Sequence, residues 1–124
     1  MTDKKMVTID KVPFAPVAWG RSKILVGPTA TGPGLALAEH IRVGVTEYDP
    51  DTPHEPHSHP GQEEVIWVLE GRGYTETHGE RQELFPGALA YIPSGLEHKT
   101  AALGAPMTAI IMKSPAADAT GKVF

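Results

Sequence analysis

At 124 residues, 40% of them hydrophobic and 21% charged, the chain has the size and composition of one folded domain with its own core, not of a disordered segment. A net charge of −4 without a lysine/arginine cluster argues against a nucleic-acid footprint or an anionic-membrane surface. Cysteine is absent, which excludes disulfides and thiolate metal sites.

The opening Met1-Thr2-Asp3-Lys4-Lys5-Met6 has no apolar segment behind it and does not read as a secretory leader. No apolar run approaches the roughly 20 residues of a membrane-spanning helix, so a cytoplasmic location is the default expectation. Twelve prolines and thirteen glycines cut the chain into short pieces with no long 3.6-residue stripe between them. That pattern predicts an all-β fold of many short strands, a sandwich or barrel.

In chain order, Val7 to Val12 and Ser22 to Val26 read as two weak strands. Pro13 and Pro16 between them favour extended or edge structure, because proline cannot donate to a ladder. Residues 27–34 form a loop whose glycines lack the spacing of a dinucleotide fingerprint. Leu35 to Tyr48 is a strand or a pair of strands, with Leu35, Leu37, Ile41, Val43 and Val45 on one face. His40, Arg42, Thr46 and Tyr48 fall on the other, so the apolar face is expected inward.

His57 and His59 share a side only if the chain is extended there. Glu64 to Leu69 carries apolar residues on both faces, which predicts burial by a second sheet or a partner subunit. Tyr74 to Thr77 and Gln82 to Phe85 flank a hairpin turn at His78-Gly79-Glu80. Ala88 to Ile92, His98 to Ala102 and Met107 to Lys113 complete nine to eleven strands. Residues 35–113 are taken as the core of one domain. The strands within 7–26 are taken as peripheral, and 114–124 as a tail or an arm laid over a neighbour.

The chemistry concentrates in two places. His57, His59 and Glu64 lie close together, and His98 follows Pro93-Ser94-Gly95-Leu96-Glu97. Taken singly, each histidine reads as an ordinary solvated or core residue. Together, three imidazoles and a carboxylate without sulfur suit one divalent transition metal: Fe, Mn, Ni, Zn, Co or Cu. Such a set leaves coordination positions for a substrate, whereas a closed structural zinc site more often recruits cysteine.

The spacing also resembles a known family. His57-Ser58-His59, four residues, Glu64, six residues and Gly71 are similar to the first cupin motif. Gly87, five residues, Pro93-Ser94-Gly95, two residues and His98 are similar to the second, with fifteen residues between Gly71 and Gly87. The resemblance implies a double-stranded β-helix, or jelly-roll barrel, in a small single-domain cupin. It also implies His57, His59, Glu64 and His98 as metal ligands. Glu63 competes with Glu64, but only Glu64 satisfies the motif gap, and strand parity turns it inward with Ile66 and Val68. Two positions depart from the pattern. Asp51 stands where the family usually has glycine, and Ala102 where it often has asparagine.

Other candidates are weaker. His54 is a possible proton shuttle, with a surface histidine the preferred reading, and Tyr91 is a candidate pocket residue. His40, His78 and Glu97 read as exposed, and Trp67 and Leu69 as packed between sheets or subunits. Arg42 is the one candidate carboxylate anchor, although the solvent-facing reading is preferred. Three functions follow. The first is a dioxygenase-type oxidoreductase acting on a small organic substrate. The second is a Lewis-acid isomerase, lyase, epimerase or cyclase, and the third a module that only binds a ligand or metal. The ligand set places the dioxygenase first, and a homodimer is expected from the two-faced strand and the terminal arms.

Overall fold

A computed structural model describes residues 6–32, 34–52 and 55–120. His54 therefore lies outside the described residues. Ten strands are present among them: β1 (Ala15–Val17), β2 (Gly20–Gly27), β3 (Ala36–Leu37), β4 (Arg42–Tyr48), β5 (Glu63–Glu70), β6 (Gly73–Thr77), β7 (Glu80–Leu84), β8 (Leu89–Ile92), β9 (Lys99–Ala102) and β10 (Met107–Ser114). The only helical element among the described residues is a 3₁₀ turn, Ile9–Lys11. It replaces the strand expected at 7–12. The loop carbonyls of Ile9 and Val12 accept hydrogen bonds from Lys23 Nζ, so this segment is held by side-chain contacts, not by a ladder.

The strands form a jelly roll. The large sheet runs β1-β2-β4-β10-β5-β8, with β3 also on β2, and the small sheet runs β7-β6-β9. Apolar side chains from both sheets meet between them: Ile66, Val68, Met107 and Ala109 from the large one, Leu84 and Ala102 from the small one. β2 lies inside the large sheet between β1 and β4, so the stretch 7–26 is less peripheral than its sequence suggests.

The alternation expected along β4 is present, but its facing is the reverse of the expectation. Arg42, Thr46 and Tyr48 point into the barrel, while Val43 and Val45 face the other way. On β5, Glu64, Ile66 and Val68 are buried, and Trp67 and Leu69 are exposed on the outer face instead of packing between the sheets. Two-sided burial of β5 is therefore absent within a single chain. The segment after β10 turns back onto its own barrel, where Ala119 N donates to Pro60 O at 2.6 Å and Gln62 Nε2 to Pro115 O at 2.9 Å. Within the chain, the contacts of Pro115 and Ala119 thus hold this segment against its own barrel.

Turns explain the sharp reversals. His78 and Gly79 both have positive φ (51° and 75°), which matches the right-handed twist of a two-residue hairpin between β6 and β7. Gly71 (φ +82°) sits where a Cβ would come within 2.3 Å of Pro106 O, so backbone conformation and close approach both require glycine there.

Candidate metal centre

The loop from β4 to β5 supplies His57 and His59, β5 supplies Glu64, and the turn before β9 supplies His98. One ligand atom from each of the four lies within 4.8 Å of all the others. The two motifs are stitched together at the candidate ligands themselves. His57 N donates to His98 O and His98 N to His57 O, both at 2.9 Å. The Pro93-Ser94-Gly95 turn docks on the same loop: Gly61 N donates to Ser94 Oγ at 2.8 Å and Gly95 N to His59 O at 3.2 Å. This explains why turn residues so far apart in sequence flank one site.

Two imidazoles are oriented from behind. His57 Nδ1 is 3.0 Å from Glu55 O and His98 Nδ1 is 2.9 Å from Leu96 O. A carbonyl only accepts, so Nδ1 must carry the proton in each ring, which leaves Nε2 as the basic nitrogen of the neutral imidazole. Glu64 Oε1 stands 3.4 Å from both His59 Nε2 and His98 Nε2. These contacts are in ion-pair range but are not aligned as hydrogen bonds, and Glu64 Oε1 and His98 Nε2 are buried without a hydrogen-bond partner. Buried polar atoms left in that state are costly, and a cation between them would satisfy both. The donor set thus fits a metal ion.

The electrostatics agree for three of the four residues. Burial pushes the Glu64 carboxyl up, but His98, Lys113 and His59 outweigh it and hold it down at about 2. Burial, with Lys113 adding repulsion, lowers the His59 imidazole to about 4, and burial also lowers His57. An ionised carboxylate and neutral imidazoles are the forms that bind metals. His98 goes the other way: burial disfavours its charge, yet Glu64 and the Leu96 carbonyl raise it overall.

Three of these four residues open onto a cleft of about 910 Å³, lined by His57, His59 and Glu64 together with Trp19, Ile24, Arg42, Tyr48, Lys113 and Asp118. That volume is in the range of small-molecule sites. Arg42, Lys113 and Asp118 are all buried in its wall, which corrects the solvent-facing reading of Arg42. Lys113 and Asp118 gave no sequence signal as site residues. Lys113 sits in an apolar strand, and Asp118 in a segment read as a tail. Tyr91 is not brought to the ligands. It lies on the outer face of β8, 53% exposed, with its hydroxyl beside Glu63. Glu97, His40 and His78 are exposed, as expected.

No helix among the described residues is long and apolar enough to cross a membrane. No curated protein matches the sequence. Among solved structures, KdgF from a Halomonas species is similar with a TM-score of 0.75 at 21% identity, over 92% of this chain and 94% of that one. An RmlC-like cupin from Shewanella frigidimarina gives 0.73 at 16% identity, over 92% and 93%. The DMSP lyase DddQ from Ruegeria pomeroyi gives 0.63 at 21% identity, over 90% of this chain and 55% of that one. At these identities the likeness speaks for the fold. The cupin-domain family profile matches residues 44–112, more than half of the chain and both motifs with the strands that carry them, so this chain belongs to the cupin family.

Proposed function

We propose that this cupin is a metal-dependent enzyme acting on a small organic substrate, with His57, His59, Glu64 and His98 as the ligands of one divalent transition metal. The observation that carries the reading is the convergence of four donors on one point at the floor of a cleft of substrate size. The chemistry such an ion supplies when bound is Lewis acidity toward a coordinated substrate oxygen.

The cleft wall favours a non-redox lyase or isomerase over the dioxygenase that the ligand set alone suggests. Lewis-acid routes need groups that hold or move protons, and Tyr48, Lys113 and Asp118 all stand in that wall. Burial pushes the Tyr48 phenol up, so it stays protonated and serves as a hydrogen-bond donor. The solved structures of similar fold include a DMSP lyase and a putative sugar phosphate isomerase, a lyase and an isomerase by name. The dioxygenase is the second reading, supported by the sulfur-free three-histidine, one-carboxylate set.

The test is turnover of a panel of hydroxy acids, keto acids, sugars, catechols, β-diketones and thiols by metal-loaded protein, with and without oxygen. Product formation under anaerobic conditions is the expected result. Turnover only with stoichiometric oxygen uptake would reverse the order of the two readings. Metal binding without any turnover would favour a binding module.

The same reading includes a homodimer formed through the outer face of the large sheet. There Ile110 pairs with Trp67 and Trp67 with Leu89, while Met112 pairs with Val65 and Val65 with Tyr91. Two apolar rows thus cross three adjacent strands, and Trp67, Leu89 and Tyr91 are exposed. Patches of this kind mark association surfaces. A solution mass of one chain would contradict the dimer.

A further inference from the structure

We infer that Arg42 is the anchor for a carboxylate of the substrate, so that the enzyme's substrates are small organic anions held between the metal centre and this guanidinium. The inference rests on the metal-dependent reading above and adds the substrate's charge and shape.

The argument begins with register. Arg42 on β4 lies opposite Lys113 on β10, and Lys113 lies opposite Glu64 on β5. These three side chains form one row across the inner wall of the barrel, and all three line the cleft. Two strand spacings put the backbones of Arg42 and Glu64 about 10 Å apart. A molecule with a metal-binding oxygen at one end and a carboxylate a few bonds away spans that interval.

Arg42 is only 8% exposed, and its Nε is buried without a hydrogen-bond partner. No ion pair joins it to any described residue. Arginine stays charged in proteins, and a buried guanidinium normally faces a carboxylate, because desolvating it alone is unfavourable. The carboxylate nearest along its row is Glu64, which the metal reading commits to the ion. Lys113, a second buried cation, stands beside Arg42, and Glu64 and then Asp118 are the carboxylates that act on Lys113. Arg42 and Lys113 balance Asp118 and the exposed Glu55 at the cleft's edge, so a divalent ion that outweighs Glu64 leaves the occupied cleft with an excess of positive charge. An anionic ligand removes that excess. The planar fork of an arginine matches a carboxylate through two parallel N–H···O bonds, which a lysine cannot reproduce.

The experiment compares acids with their uncharged partners. Zn(II)-loaded protein is titrated calorimetrically with malonate, succinate and glutarate and with the half-amide of each, first in the wild type and then in Arg42→Gln and Arg42→Lys. The best-fitting diacid is expected to bind the wild type at least about tenfold more tightly than its half-amide. Arg42→Gln should abolish that preference with zinc content unchanged, and Arg42→Lys should restore only part of it. Equal binding of acid and half-amide by the wild type, no binding of any diacid, or a preference that survives in Arg42→Gln overturns the assignment. The wild-type comparison needs no variant, so it stands even if a substitution unfolds the protein. A wild type that takes up no zinc would instead defeat the metal reading. The acid and half-amide comparison in metal-free protein then still reports on Arg42.

Discussion

The two faces of the large sheet are made from the same strands and serve opposite purposes. Toward the cleft, β4 presents Arg42, Thr46 and Tyr48, β10 presents Lys113, and β5 presents Glu64. Toward the outside the same strands present Val43, Val45, Ile110, Met112, Val65 and Trp67. Deeper in the barrel the inner face turns apolar, with Ile66, Val68, Met107 and Ala109 closing the core. Period-two alternation therefore divides a strand into two faces without saying which is inside. In a barrel that holds a polar site, part of the inner face must be polar, and apolar residues are then left outside for another surface to cover.

Adjacent residues on β5 give the sharpest way to test that contrast. Ile66 is buried in the core, whereas Trp67 is 42% exposed on the outer face. Ile66→Ala is expected to cost about 2–5 kcal/mol in denaturant unfolding, as a large-to-small change in a packed interior does. Trp67→Glu should change the stability of the single chain by only about 1 kcal/mol or less while abolishing self-association in sedimentation. If both variants behave alike in both measurements, the two faces are not distinct in the way described.

A smaller effect is expected at the turn between β5 and β6. Gly71→Ala places a Cβ against Pro106 O at a positive φ, and a loss of about 1–3 kcal/mol in thermal unfolding should follow. The smallest effect belongs to Asp51. Its φ of 56° lies in the left-handed region, which aspartate tolerates better than most residues. Asp51→Gly should therefore shift stability by no more than about 1 kcal/mol, and Asp51→Val should cost more than Asp51→Gly.

Asp51 also shows how far the sequence could be read. The cupin-like pattern usually has glycine at this position, and Asp51 stands here with a left-handed φ that glycine adopts freely. The second departure, Ala102, meets the first: Asp51 N donates to Ala102 O at 2.9 Å. The two exceptions are neighbours in space, which one-dimensional spacing could not reveal. The four candidate ligands were legible because histidines and a glutamate at fixed intervals around Pro-Ser-Gly and glycine turns are a local signal. Arg42, Lys113 and Asp118 were not legible as a group, because the pairing of β4 with β10 and a returning C-terminal segment bring them together. The facing of β4 does not follow from its pattern, because its inner face is the polar one. Val45 is indeed buried, but on the outer side of the sheet, where Lys23 opposite it holds the residue 9–12 segment.

The central claim is that His57, His59, Glu64 and His98 hold one metal ion, and metal stoichiometry tests it most directly. Wild-type protein, His57→Ala and His98→Ala are each loaded with Co(II), desalted, and assayed for bound metal and for the visible spectrum of the cobalt. The account predicts about one cobalt per wild-type chain, with a spectrum of imidazole and carboxylate ligation. Both variants should lose at least about 100-fold in affinity, the upper end of what removing a mere ligand-supporting group costs. Unchanged metal content in the two variants, or a wild-type protein that retains no first-row ion, would contradict it.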